Sequence, residues 1–148
     1  DIMRQVLKKD KNAVLLSVGT GSDFEAVCEY AKKLQVDENI RFLGVRDDIP
    51  ALLSAADVFV FPSRFEGLSI TCIEAQFSGL PCVLSENISS ETKISEDVYV
   101  LPIDSADSWA DTVLMLCKER KSASLNAEVL KNYDIANQQY QIKSILEV

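Results

Sequence analysis

VFVFPSRFEGLSITCIEAQFSGLPCVLS, residues 58–85, is the stretch on which the fold turns. Val58, Phe59, Val60 and Phe61 form a short apolar run stopped by Pro62-Ser63, which predicts a buried strand. A loop from Arg64 to Leu68 follows. Ser69 to Ser78 then has helical spacing and ends at Gly79 and Pro81, residues that cannot continue a helix without cost. Cys82-Val83-Leu84-Ser85 is a second apolar run. Strand, loop, helix and strand in so short a span is the pattern of two parallel strands joined by a crossover helix.

The same alternation extends to both sides. Upstream, residues 2–9 carry Ile2, Met3, Val6 and Leu7 at helical spacing. Residues 13–18 suit a buried strand ended by Gly19-Thr20-Gly21, and Ser22-Asp23-Phe24-Glu25 has the form of a capping box opening a helix toward Leu34. Residues 40–44 read as a strand, and residues 48–56 as a short helix with Pro50 in its first turn. Downstream, residues 98–101 form a strand. A helix over residues 106–119 places Trp109, Val113, Leu116 and Cys117 on one side, and the more polar tail from Ser122 is again helical. Continuous apolar strands between amphipathic helices predict one doubly wound α/β domain, a parallel sheet covered on both faces. Ligands of such sheets bind beyond the carboxyl ends of the strands, so the loops to search are residues 19–22, 44–48, 62–69 and 85–92.

Composition narrows the chemistry. The chain has 148 residues and a formal net charge of −8, which argues against wrapping a nucleic-acid backbone. No apolar run reaches the roughly 18 residues a spanning helix needs, and no signal-peptide pattern opens the sequence. Histidine is absent, which removes Ser-His-Asp, Cys-His and His-metal mechanisms. The four cysteines, Cys28, Cys72, Cys82 and Cys117, show no C-x-x-C spacing and sit among apolar residues. Buried free thiols of a reducing compartment are the expectation.

Four constellations remain. In the first, Glu66 lies in a strand-to-helix loop, and Gly67 would let the backbone come close to a ligand. Free N–H groups near Leu68, Ser69 and Ile70 would open a helix suited to a phosphate. Glu74 falls at the margin of an apolar arc, Ile70-Ile73-Phe77, where a carboxylate needs a partner. On pattern alone, a loop charge at Glu66 and a satisfied carboxylate at Glu74 stand level with a ligand site. The second is Val18-Gly19-Thr20-Gly21, which approaches G-x-G-x-x-G; but Phe24 replaces the third glycine and no acidic residue closes the next strand. A nicotinamide site does not fit, and a tight turn before a helix is at least as good a reading. In the third, Arg46-Asp47-Asp48, the carboxylates most simply cap the following helix. The fourth, residues 85–92, is polar and aperiodic, equally a cleft-facing loop and a surface turn.

Residues 13–105 resemble the donor-binding, carboxyl-terminal half of GT-B glycosyltransferases, specifically the retaining family 4 of bacterial exopolysaccharide and capsule assembly. Glu66 and Glu74 stand as E-x7-E within Pro62-Ser63, Glu66-Gly67, Glu74-Ala75 and Gly79-Leu80-Pro81. Val18-Gly19-Thr20-Gly21, Ile40-Arg41-Phe42-Leu43-Gly44, Ala55-Ala56-Asp57-Val58 and Leu101-Pro102 follow the family in order. The resemblance implies a Rossmann-like doubly wound parallel sheet with helices on both faces. It makes residues 1–148 a donor-binding fragment that lacks the first strand, an Arg/Lys loop that grips the diphosphate, and the amino-terminal acceptor domain. It also implies a nucleotide-sugar donor, UDP-sugars before GDP- or ADP-sugars, used without a metal or other cofactor. Glu66 would act on the donor sugar as the catalytic carboxylate, with the backbone of Gly67, Leu68 and Ser69 beside sugar and diphosphate. Glu74 would take the ribose hydroxyls, Gly44 and Val45 the base, and Gly19 and Gly21 the cleft wall. Arg64 and Arg46 are the nearby cations, and the resemblance assigns the diphosphate grip to neither. The expected location is cytoplasmic, with the parent enzyme at the inner membrane face. The alternatives are a GT-B enzyme of another class, such as a nucleotide-sugar epimerase, and a non-catalytic nucleotide-binding module.

Overall fold

The computed structural model describes residues 1–119. The chain alternates as the sequence predicts: α1 (Ile2–Lys9), β1 (Leu15–Val18), α2 (Phe24–Lys33), β2 (Ile40–Gly44), α3 (Ile49–Ala55), β3 (Phe59–Phe61), α4 (Ile70–Phe77), β4 (Cys82–Ser85), β5 (Val98–Leu101) and α5 (Ala106–Glu119). Short 3-10 turns at Asp37–Asn39 and Ser90–Thr92 precede β2 and β5. The helical tail expected from Ser122 lies outside the described residues.

Every strand pair is parallel, but the strands form two sets among the described residues, β1–β2 and β3–β4–β5. Strand alternation explains the layering of the larger set. Phe59, Phe61, Cys82, Leu84 and Val98 point to one face, where they meet Leu53 of α3 and Cys72 and Ala75 of α4. Val60, Val83, Tyr99 and Leu101 point to the other, against Ile2 of α1 and Trp109, Val113 and Leu116 of α5. Helices therefore cover both faces. An ion pair between Lys9 and Asp111 ties α1 to α5.

The smaller set departs from expectation. β1 was expected to be buried, yet Leu15 is 37% and Leu16 38% exposed. Consecutive strand residues face opposite sides, so both faces of β1 are open. β1 is bonded along one edge only, to β2, and its residues join neither of the buried apolar clusters that the helices form on the larger set. The capping box also fails. Phe24 N–H donates to Gly21 O at 3.2 Å, so a turn precedes the helix and Asp23 takes the N-cap position. Ser22 Oγ donates to Asp23 Oδ1 instead of capping.

α4 is terminated as its sequence demands. Ser69 caps it by accepting from Cys72 N–H at 3.5 Å. At the other end Gly79 has φ +76°, Leu80 N–H reaches Ala75 O at 3.1 Å and Gly79 N–H reaches Gln76 O at 3.0 Å, the paired bonds of a Schellman closure. All four cysteines are free thiols; Cys72 and Cys82 are buried as expected, Cys28 is half-buried, and Cys117 is exposed in the last turn of α5 beside Lys118 and Glu119. Burial pushes the Cys72 thiol above the ordinary range and the Cys82 thiol well above it. No helix among the described residues is long and apolar enough to cross a membrane.

Candidate functional site

Two of the predicted loops meet at the carboxyl ends of β1 and β2. Gly19 N–H donates to Gly44 O at 2.7 Å. Both glycines have positive φ, +112° and +64°, a conformation that other side chains rarely adopt. Val45, next along, is an apolar side chain 77% exposed at the strand end. Gly21 supplies the carbonyl of the turn into α2. Asp48 holds the N-cap position of α3, but its side chain does not cap. It accepts a fork of two bonds from Arg46, Nε to Oδ1 at 2.8 Å and an Nη to Oδ2 at 2.6 Å. Those hydrogen bonds hold the Asp48 carboxyl below the ordinary range and raise the Arg46 guanidinium. Both groups are exposed, so the pair organises the loop more than it stabilises the fold.

The loop after β3 is built differently. Glu66 N–H donates to Asn87 O at 3.4 Å, and Ser89 N–H donates to Glu66 O at 3.2 Å. These bonds form an isolated parallel bridge between Glu66 and Ile88, continuing the β3–β4 pairing past the strand ends. The bridged segments border a shallow cavity of about 430 Å³ that is wide open to solvent, with residues 64–67 on one side and residues 86–89 on the other. Arg64, Glu66, Glu86 and Asn87 line it, and their side chains make no hydrogen bond or ion pair within the described residues.

Behind this loop lies a buried polar network. Thr92, fully buried, donates from Oγ1 to Gly67 O at 3.3 Å and accepts from Ser69 N–H at 3.4 Å. Ser69 was expected among the free donors at the start of α4; its N–H is instead taken by Thr92, and the residue is 5% exposed. The N–H groups of Gly67 and Leu68 have no acceptor among the described residues. Gln76, also fully buried, donates from Nε2 to Cys72 O and Thr92 O at 2.9 and 2.8 Å. Its Oε1 accepts from Ile94 N–H and Ser95 N–H at 2.9 and 3.0 Å. The turn at residues 67–69 is thus fixed from inside the protein while its outer side stays open.

α4 presents a second correction. Its buried face is Cys72, Ile73, Ala75 and Gln76, whereas Ile70 and Phe77 are 70% and 40% exposed. Glu74 shares that exposed stripe, one turn along from Ile70, and does not line the cavity. The expected apolar arc is therefore split: Ile73 is buried, whereas Ile70 and Phe77 face solvent. The structure brings Arg64, Glu66 and Gly67 into one cavity and Gly19 and Gly44 into one turn. Glu74 and Leu68 stand outside the cavity wall on the exposed surface. Sequence reasoning missed Glu86 and Asn87 as cavity-lining residues, although their segment was flagged as polar and aperiodic. It also missed Gln76 and Thr92. The available signal for Gln76 was an amide at the i+4 position from Cys72 on an otherwise apolar helix.

The glycosyl transferases group 1 model matches residues 1–119. The chain is 29% identical over 145 residues to the UDP-Gal:alpha-D-GlcNAc-diphosphoundecaprenol alpha-1,3-galactosyltransferase of Escherichia coli, covering 90% of this chain and 36% of that protein. It is 32% identical over 111 residues to the D-inositol 3-phosphate glycosyltransferase of Salinispora tropica, covering 70% and 23%. The chain thus spans about a third or less of the length of these relatives. Anabaena HepE, solved in complex with UDP, shares the fold at a TM-score of 0.78 and 18% identity, over 99% of this chain and 44% of that one. The fold is the α/β fold of GT-B glycosyltransferases. By the family match, the chain is a member of the glycosyl transferases group 1 family.

Proposed function

We propose that this chain is the donor-binding part of a retaining glycosyltransferase that moves a sugar from a nucleoside diphosphate to a saccharide or lipid-linked acceptor in polysaccharide biosynthesis. The observation that carries the reading is the loop at residues 64–67. It lies past the carboxyl end of β3 and opens on a cavity where the side chains of Arg64, Glu66, Glu86 and Asn87 make no hydrogen bond or ion pair to any described residue. Glu66 is the carboxylate placed to meet sugar hydroxyls, and the unengaged N–H groups of Gly67 and Leu68 are donors for charge developing on the leaving diphosphate. Glu74, exposed on α4, takes the ribose hydroxyls, and Gly44 with Val45 forms the platform for the base. Gly19 and Gly21 form the cleft wall. Backbone donors and cations such as Arg64 meet the diphosphate charge, with no protein-bound metal or other cofactor in the scheme. UDP-sugars are favoured as donors, because the E. coli relative is named for UDP-Gal and HepE was solved with both UDP and UDP-glucose. The retaining outcome rests on the resemblance of the Glu66 to Glu74 motif to family 4.

The edges of β1 and β3 that pair with no strand among the described residues support a further element of this reading: a parallel strand preceding α1, whose crossover returns to β1 over the face that α1 and α5 cover. That strand would complete one doubly wound sheet and carry the cations of the diphosphate grip. A separate acceptor domain supplies the other substrate, so this chain alone is expected not to transfer sugar, and detectable turnover by it would contradict the scheme. Free thiols throughout agree with a reducing, cytoplasmic location, at the inner face of the membrane when the acceptor is lipid-linked.

Gly67 provides the test. A Cβ built at Gly67 meets nothing within 4 Å, and its φ lies outside the positive region that disfavours side chains. The fold therefore does not require glycine here, whereas a ligand pressed against the backbone would. Gly67→Ala is expected to leave the melting temperature unchanged and to weaken UDP-glucose binding by about tenfold, a cost typical of overpacking a close contact. Calorimetric titration of both chains checks this; equal affinities would remove Gly67 from the donor site.

A further inference from the structure

The cavity has a second wall that the family resemblance does not assign. Residues 86–89 form it, and their backbone is pinned at several points, one of them Ile88 N–H donating to Ser85 O at 3.2 Å. Glu86 N–H donates to Leu101 O at 3.0 Å, and Asn87 N–H donates to Ser85 Oγ at 3.2 Å. Asn87 O and Ser89 N–H complete the bridge to Glu66. Farther along, Thr92 and residues 94–95 are held to α4 through Gln76. Yet the side chains of Glu86 and Asn87, both exposed, make no bond to any described residue and line the cavity opposite Arg64 and Glu66. A surface turn that merely solvates charge needs no such anchoring. Fixed backbone with unengaged polar side chains is the arrangement of a preorganised reading position, because little ordering cost remains when a ligand arrives.

We infer that Glu86 and Asn87 are the residues that select the donated sugar, and that they restrict it to neutral sugars over uronates. This rests on the donor-site reading above and deepens it. The chemistry is direct. The amide of Asn87 both donates and accepts, and the carboxylate of Glu86 accepts from two hydroxyls, so together they suit a neutral polyol edge. Charge sets the exclusion. The cavity already holds two carboxylates, Glu66 and Glu86, against one guanidinium, Arg64. A uronate would add a third carboxylate to an open site on a chain of net charge −8. Because the site is open to solvent, the penalty is moderate, about threefold in affinity.

The experiment follows amide shifts of the isotopically labelled chain on titration with UDP, UDP-glucose and UDP-glucuronate at millimolar concentrations. UDP-glucose is expected to move the amides of residues 86–89, which UDP alone leaves in place, and to bind about threefold more tightly than UDP-glucuronate. Glu86→Gln should bring the two nucleotide sugars to equal affinity without changing the affinity for UDP. Asn87→Ala should weaken UDP-glucose and spare UDP. Both side chains are exposed, so neither variant threatens the fold. If UDP-glucose and UDP move the same amides and residues 86–89 stay silent, or if Glu86→Gln preserves the preference, the inference is overturned while the donor site stands. If no nucleotide moves any amide in residues 19–22, 44–48 or 67–74, the donor site itself is wrong, and the inference falls with it.

Discussion

Replacing Gln76 by leucine is expected to destabilise the chain by about 3 kcal/mol, although leucine matches the size and apolar surroundings of the site. Gln76 is fully buried and makes four hydrogen bonds: to Cys72 O, to Thr92 O, from Ile94 N–H and from Ser95 N–H. Leucine leaves two buried N–H groups with no acceptor, and each unsatisfied group costs about 1–3 kcal/mol. The lost acceptor side matters most, since carbonyls tolerate partial satisfaction better than N–H groups do. The effect should also be directional. Thr92 is held by Gln76 and in turn holds the turn at residues 67–69. Amide exchange is therefore expected to accelerate at Ser69, Ile94 and Ser95 before the strands open. Denaturant unfolding followed by the emission of the single tryptophan measures the total; a loss below about 1 kcal/mol would mean that water replaces the amide.

Trp109→Ala is expected to cost about 3–5 kcal/mol, the upper range for emptying a core site. The indole is fully buried against Val83 and Leu116 on the face of β3–β4–β5 that α1 and α5 cover. Its Nε1 donates to Pro102 O at 2.8 Å, which fixes the exit of β5 to the first turns of α5. Alanine removes both the packing and the donor. Trp109→Phe keeps most of the volume and loses mainly the hydrogen bond, so it should cost about 1–2 kcal/mol. Thermal unfolding by circular dichroism orders the three proteins. Equal losses for Ala and Phe would place the stability in the hydrogen bond and not in the packing.

The parts of the fold that read directly from sequence are those where one local signal suffices. Gly79 and Pro81 set the end of α4, and the apolar run at residues 82–85 became the fully buried strand β4. Burial was harder to read, because it depends on which neighbours are present. The run at residues 13–18 is as apolar as β4, but its residues join neither buried apolar cluster, and the strand stays open. The face of α4 was misassigned for a related reason: Ile70 and Phe77 are more apolar than Gln76, yet the amide is the buried one, because four hydrogen bonds compensate its desolvation. In the site, Glu66 and Gly67 were legible from a motif. Glu86 and Asn87 were legible only as part of a loop to search, residues 85–92, since it is the bridge between Glu66 and Ile88 that brings that loop to the cavity. Asp48 was read as a cap from its position, but Arg46, two residues away, competes for its carboxylate and wins.

The central claim is that the loops past the carboxyl ends of β1, β2 and β3 form one site for a nucleoside diphosphate. The most direct measurement is a titration of the labelled chain with UDP, GDP and ADP, with Glu74→Ala as the control. Glu74 is exposed on α4, so its substitution leaves the fold in place. Shifts confined to residues 19–22, 44–48 and 67–74, strongest with UDP and largely lost in Glu74→Ala, are the predicted result. Shifts absent from all three loops, or unchanged by Glu74→Ala, would contradict it.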